Sequence, residues 1–309
     1  MIGEWCTIES DPWTFTELSH RLGLEGVQFK EVLDLDSSKE MIEEFGDVYG
    51  FIFLFKWDYE DQKKRLVQEN PAAAEDLLFI KQIVTNACAT IAIFNMAFNL
   101  QAENTTVSLS NSLTEFKTFI TDLPSEMRGL ALTNSEEIRT AHNSFIELGS
   151  LNADEKEKSS KGEAFHYVAL MPVGNKLVEF DGMRDSPTIH CDLPDDDVVG
   201  GTMNWIQSRI SSVEGGELRF SLLAMVPDQI ERLTKLIESC DDENVKGILA
   251  ERLENEREKR KPPVRKPIEE QDFDRSHHLS GKDLPDGDKA KLQEALNLIQ
   301  SMKNRNVFG

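Results

Sequence analysis

Cysteine is scarce in this chain. Four residues of 309 (Cys6, Cys88, Cys191 and Cys240) lie far apart, with no CxxC pair among them. Such scatter argues against a structural zinc site or a disulfide framework and predicts free thiols in a reducing compartment. Long apolar runs are also missing, none approaching the ~20 residues of a membrane helix. The opening "MIGEWCTIESDPW" has no basic start followed by an apolar stretch, so the reading predicts an intracellular protein without a signal peptide. No segment repeats, and neither a metal nor another cofactor is predicted.

Basic residues are in short supply too, and unevenly so. The net charge is −22, from 34 Lys+Arg against 56 Asp+Glu. Residues 229–309 hold 16 Lys+Arg and 17 Asp+Glu, a net of −1, which leaves −21 on residues 1–228. An acidic body disfavours nucleic acid and anionic membrane and suits a partner or substrate with basic groups. Acidity that serves solubility alone is the competing reading. Hydrophobic residues at 39% and charged residues at 29% are an ordinary globular balance, enough for one large domain or two smaller ones.

Helix and strand signals follow one another along the first 228 residues. "ESDPWTFTELSHRLG" offers Asp11 as cap, Pro12 at the first helical position, Phe15, Leu18 and Leu22 on one face, and Gly23 as stop. "DVYGFIFLFKW" (Asp47–Trp57) reads as a buried strand, and the polar "DYEDQKKRLVQENPAAAED" after it as surface cover. Between Asn86 and Leu100, Ala89, Ala92, Ile93, Met96, Ala97 and Leu100 mark one face of a helix. "SLTEFKTFITDL" and "EEIRTAHNSFIELG" are also helical in pattern, whereas "SLNADEKEKSSKGE" (Ser150–Glu163) reads as a long mobile loop of the kind that serves as a lid. Strands "AFHYVALMP" and "KLVEFDG" meet through Val173-Gly174-Asn175, and "ELRFSLLAMV" (Glu217–Val226) is a further strand. A boundary is expected near residue 228. Beyond it come two charged helices broken near "CDDEN", a Pro- and charge-rich linker over residues 261–287, and a last helical pattern on Leu292, Ala295, Leu296, Ile299 and Met302.

Chemistry concentrates at "KQIVTNACATIAIFNMAFNL", Lys81 to Leu100. With Asn86 as helix cap, Cys88 falls in the first turn, where unpaired N–H groups and the helix dipole favour a thiolate. A small core residue is the competing reading. A nucleophilic thiol needs a base and a group that orients it, and strand geometry singles out His166. With Gly174-Asn175 as a two-residue turn, Val173 pairs with Lys176 and paired numbers sum to 349. His166 then faces Met183, Val168 faces Asp181, and His166 and Asp181 become diagonal neighbours on one face. A one-residue slip would separate them. Singly, Asp181 reads as a turn acid and His166 as a strand histidine; together with Cys88 they read as a triad. The backbone N–H of Cys88 and the side-chain amide of Gln82 are candidate oxyanion donors, a surface glutamine being the alternative for the latter.

"GEWCTIESDPWTFTEL", "KQIVTNACAT" and "AFHYVALMPVGNKLVEFDG" resemble the ubiquitin C-terminal hydrolases, a papain-like class of cysteine peptidases, over roughly residues 3–228. The separations are family-like: 6 from Gln82 to Cys88, 78 to His166 and 15 to Asp181. The resemblance implies an α/β sandwich, with a central antiparallel sheet flanked by helices and a helical extension over 229–309. It implies Cys88 as nucleophile, His166 as base and then acid, Asp181 as orienting acid and Gln82 as oxyanion donor. It makes Ser150, Leu151, Asn152, Ala153, Asp154, Glu155, Lys156, Glu157, Lys158, Ser159, Ser160, Lys161, Gly162 and Glu163 the crossover loop above the active site, a restriction on adduct size. Ubiquitin is the implied substrate and product, in cytoplasm and nucleus. The opening and "ENEREKRK" look most like the long, proteasome-associated isozyme, whose extension binds the proteasome's ubiquitin receptor. Here "PPVRKPIEEQDFDRSHH" stands where that isozyme has a basic-aromatic segment. Two other readings stand beside the hydrolase: a non-catalytic or partner-activated ubiquitin-binding subunit of the proteasome or a chromatin complex, and a hydrolase of another ubiquitin-like modifier.

Overall fold

The computed structural model describes residues 4–33, 35, 44–56, 76–100, 106–145, 165–194, 197–211 and 220–262. In chain order its elements begin with α1 (Pro12–Arg21), β1 (Leu24–Glu25), β2 (Val27–Glu31), β3 (Gly50–Lys56), α2 (Cys88–Ala97) and β4 (Ser108–Leu109). Then come α3 (Asn111–Ile120), α4 (Ser125–Asn134), α5 (Glu136–Asn143), β5 (Phe165–Val173), β6 (Lys176–Phe180) and β7 (Thr188–Asp192). The last are α6 (Val198–Ser211), β8 (Phe220–Pro227), α7 (Gln229–Ser239) and α8 (Glu243–Lys259). The expected crossover loop, the linker, the last helical pattern and most of the polar segment after Trp57 lie outside the described residues.

Period-two patterning builds the centre. Six strands pair antiparallel in the order β2–β8–β3–β5–β6–β7, while β1 and β4 form a separate small pair. Successive side chains on a strand point to opposite faces, and the apolar residues sort accordingly. Ile52, Tyr167, Ala169, Met171, Leu223 and Met225 enter one core, closed by α1 and α2. Phe51, Phe53, Val168, Leu170, Leu222 and Ala224 enter the other, closed by α6 through Val199, Met203 and Ile206. The sheet is therefore buried on both sides, as the expected sandwich requires.

Local chemistry fixes the elements nearest the site. Both carboxylate oxygens of Asp11 cap α1, accepting from the Trp13 and Thr14 N–H groups at 3.1 and 2.8 Å. Between β5 and β6, Gly174 takes φ +59° at the first turn position, a conformation glycine adopts freely. Val173 pairs with Lys176 and Ala169 with Phe180, in the register expected from the two-residue turn.

After β8 the chain turns into α7 and α8, capped by Asp228 and Asp242. The end of α8 returns to the edge strand β2. There Glu256 pairs with Lys30 and accepts from Gln28 Nε2 at 2.9 Å, Arg260 pairs with Asp228 at 2.8 Å, and Trp13 Nε1–H donates to the Arg260 carbonyl at 3.1 Å. Lys30 and Glu256 are both buried. Removing one partner of such a pair leaves a stranded charge, whereas replacing both by apolar residues is often neutral. Glu256→Ala should therefore lower unfolding free energy by roughly 3 kcal/mol in urea titrations, and Lys30→Met with Glu256→Leu by about 1 kcal/mol or less. Equal losses in the two variants would contradict the stranded-charge account.

Candidate active site

The site begins with a helix buried on almost every side. Residues 89–97 of α2 are all buried, and Ala89, Ala92 and Ala97 let it lie close against the sheet. Cys88 is its first residue and keeps partial exposure. The expectation that Asn86 caps this helix is corrected: the cap position is Ala87, with no side-chain capping bond. Asn86 takes φ +68° and gives its Nδ2–H to the Trp5 carbonyl at 3.0 Å. Asparagine tolerates that left-handed conformation, so Asn86 turns the chain into the helix and fastens it to the N-terminal segment. Cys88 keeps its place at the helix start.

His166 lies on β5, opposite Phe55 of β3. The β5–β6 ladder runs to Ala169 and Phe180, and Asp181 follows β6 directly. His166 Nε2–H donates to Asp181 Oδ1 at 2.7 Å, and both side chains are buried. Asp181 Oδ1 also accepts the Met183 N–H at 2.9 Å. With Nε2 engaged, Nδ1 is left to face Cys88, which hydrogen-bonds the ring. Burial alone would lower the pKa of His166; hydrogen bonds and charge from Asp181 and Cys88 outweigh it and raise the value to about 9. The three residues singled out in the sequence thus meet as a hydrogen-bonded row.

Gln82 adjoins this row through its backbone, whose N–H donates to the Gly182 carbonyl at 2.7 Å. Its side-chain Nε2 donates to the Val84 carbonyl at 3.0 Å. A primary amide carries two hydrogens, so the second remains for an oxyanion.

Five residues that frame the site were not singled out from sequence. Asn95 Oδ1 and Nδ2 bond both backbone groups of Ile80 at 2.7 and 3.2 Å, and Asn99 does the same for Leu78 at 2.8 Å each. Helix α2 thereby holds the extended segment that carries Gln82. Thr90 and His142 tie α2 to the N-terminal segment. His142 Nε2 reaches the Cys6 carbonyl at 2.8 Å and must donate there, so Nδ1 accepts the Thr90 hydroxyl at 2.8 Å. Burial lowers the pKa of His142 to about 4, keeping that ring neutral. Two polar residues four apart, Asn95 inside the apolar helix and Asn99 just past its end, were the available sequence signal. Tyr167 feels the charge of Cys88 and donates its hydroxyl to the Ile8 carbonyl at 3.0 Å, with burial raising its pKa well above the usual range.

All four cysteines are free. Burial raises the Cys6 thiol to about 11, so it is a poor nucleophile. Among the described residues no three His, Cys, Asp or Glu side chains converge as a metal would require, and no described helix is long and apolar enough to cross a membrane.

Comparison with known proteins gives the arrangement its family. The chain is similar to ubiquitin carboxyl-terminal hydrolase ubh-4 of Caenorhabditis elegans, 37% identical over 252 residues that make up 81% of this chain and 75% of that one. It is similar also to ubiquitin carboxyl-terminal hydrolase isozyme L5 of Dictyostelium discoideum, 35% identical over 75% of this chain and 65% of that one. The crystal structure of Trichinella spiralis UCH37 bound to ubiquitin vinyl methyl ester superposes with TM-score 0.67 at 34% identity, covering 84% of this chain and 98% of that chain. A family model described as ubiquitin carboxyl-terminal hydrolase, family 1, matches residues 5–211. The chain therefore belongs to family 1 of the ubiquitin carboxyl-terminal hydrolases and is a deubiquitinating cysteine peptidase.

Proposed function

We propose that the chain hydrolyses the bond after the C-terminal glycine of ubiquitin by acyl transfer to Cys88. The observation that carries this reading is the His166 ring held between the Asp181 carboxylate and the thiol at the start of α2. His166 takes the thiol proton through Nδ1, and the thiolate attacks the glycine carbonyl carbon. The developing oxyanion accepts from the Cys88 N–H and from the second amide hydrogen of Gln82. Collapse of the tetrahedral intermediate expels the amine, which leaves with the proton from His166, and a ubiquitin thioester remains on Cys88. Water, deprotonated by the now neutral His166, cleaves the thioester and restores the thiol. Asp181 keeps the proton on Nε2 throughout, so Nδ1 always faces the chemistry. The acidic charge of residues 1–228 suits a basic, glycine-ended tail.

Three wider points belong to the same proposal. Residues 150–163 limit the size of adduct admitted. Residues 229–309 dock on the proteasome's ubiquitin receptor, and the protein works in cytoplasm and nucleus. Their support is the resemblance to the long isozyme, and binding of the receptor by the full chain but not by residues 1–228 is the test of the docking.

Ubiquitin carrying a C-terminal electrophile, followed by intact-mass measurement, tests the chemistry. One adduct on the parent and none on Cys88→Ala is the expected result. No adduct on the parent would favour a partner-activated or purely binding protein, to be separated by adding the receptor. Cys88→Ala should retain ubiquitin binding while losing turnover. In steady-state assays His166→Ala should lose several orders of magnitude in kcat and Asp181→Asn less, whereas Gln82→Ala should lose roughly 10²–10³-fold without slowing thiol alkylation.

The raised pKa of His166 sets a pH dependence. kcat/KM for a ubiquitin ester should fall as pH rises through about 9, where the imidazolium that protonates the leaving group is lost. The same shift contributes stability that is full below the unfolded value of about 6.5. It is lost as pH rises from there through about 9, so His166→Ala should flatten the melting temperature across that window.

A further inference from the structure

Arg184 has no part in the mechanism above, yet it is the largest fully buried side chain among the described residues, 2% exposed. A guanidinium stays charged at any pH a protein survives, and burying it is costly unless it is paired. Its surroundings point at the triad acid. Nε lies 3.7 Å from Asp181 Oδ2, and Nη1 donates to Thr188 Oγ1 at 3.0 Å. The Arg184 backbone N–H closes a turn on the Asp181 carbonyl at 2.9 Å. Asp181 itself is 0% exposed. Its oxygens divide their work: Oδ1 holds His166 and the Met183 N–H, and Oδ2 faces Arg184. In the ion-paired state the row reads guanidinium, carboxylate, imidazolium, thiolate, with signs alternating along it.

We propose that Arg184 is a positioning residue of the hydrolase, acting on His166 through Asp181: it holds the buried carboxylate aimed at the ring, and its charge moderates that carboxylate's hold on the imidazolium proton. The proposal rests on the acyl-transfer reading of Cys88 and His166. Its reason lies in the catalytic cycle. Once His166 has given its proton to the leaving group, the ring is neutral and no longer balances Asp181. Arg184 supplies the positive charge that persists through that stage. Among the described residues, Cys88 of α2 and Asp181 are set against His166, and Arg184 is set against Asp181; burial and the charge of Cys88 keep Tyr167 protonated.

Arg184→Gln and Arg184→Lys test this with a ubiquitin C-terminal ester or amide as substrate. Arg184→Gln should lower kcat by roughly 10- to 100-fold, as loss of a group supporting catalytic residues commonly does, with KM within about twofold of the parent. The high-pH limb of its kcat/KM profile should move to higher pH, because a carboxylate that no longer faces the guanidinium holds the imidazolium proton more tightly. Arg184→Lys keeps the charge and should recover most of kcat and the parent limb. Equal losses in both variants with unmoved limbs would reduce Arg184 to packing, and a parent-like rate in Arg184→Gln would remove the role altogether. Should Arg184→Gln fail to fold, Thr188→Val removes the acceptor of Nη1 and leaves the carboxylate alone; a several-fold fall in kcat at constant KM is expected, and parent kinetics would overturn the proposal. Failure of the parent to form the ubiquitin adduct would defeat the acyl-transfer reading instead, so the two failures are told apart.

Discussion

The hydrogen bond from His166 to Asp181 depends on one register. Side chains alternate along a strand, so slipping β6 by one residue against β5 would turn Asp181 to the opposite face and leave two buried polar groups unpaired. A two-residue turn with Gly174 at φ +59° holds that register. Burial supplies the rest of the restraint. With His166 and Asp181 both shielded from water, each group's best partner is the other, and the site tolerates little rearrangement.

The thiol reaches that pair by a different kind of control. Helix α2 is apolar around most of its surface, so hydrophobic burial fixes its depth but not its rotation or its shift along the axis. Polar side chains settle those. Asn95 and Asn99 fasten it to residues 78–80 through backbone amide bonds, and Thr90 fastens it to His142 and through it to Cys6. A buried amide that leaves its partner strands donors and acceptors on both sides, at about 1–3 kcal/mol for each group. The position of Cys88 is thus set by groups that tolerate little misplacement.

Much of this was legible in the sequence, and the reasons differ by element. The β5–β6 hairpin announced itself because a two-residue turn with glycine fixes pairing arithmetic, and helix α1 because Asp11-Pro12 and Gly23 mark its ends. Cys88 was placed correctly on a partly wrong argument. Asn86 looked like a cap, yet its side chain serves Trp5 and its backbone makes the turn. A cap and a left-handed turn residue share the same amino-acid preferences, so composition alone does not separate them. Strand β7 was missed because its alternation is broken. Leu177 pairs with Cys191 and Val178 with Ile189, leaving His190 as an extra residue. Helix α6 carries Gly200-Gly201 in its first turn, which weakens its pattern. The roles of Asn95 and Arg184 depend on partners distant in sequence or on burial, and short-range periodicity reports neither.

A second site in the same sheet separates what makes a histidine chemically useful from what only keeps it buried. Glu179, two residues before Asp181, is likewise fully buried, bonded to His190 at 2.6 Å and paired with Arg209 at 3.5 Å. Carboxylate, histidine and arginine therefore occur together twice, and the shared composition confers no chemistry by itself. The difference lies on the far side of each ring. His190, re-aimed by the bulge, stacks on Trp205 with ring centroids 4.2 Å apart, and Arg209 sits over Phe55 at 5.3 Å. An aromatic face accepts a flat ring or a cation but offers no proton to move. His166 instead presents its second nitrogen to the Cys88 thiol at a helix start, a group able to give up a proton. Among the described residues of this sheet, a carboxylate-bound histidine meets a thiol once, at Cys88.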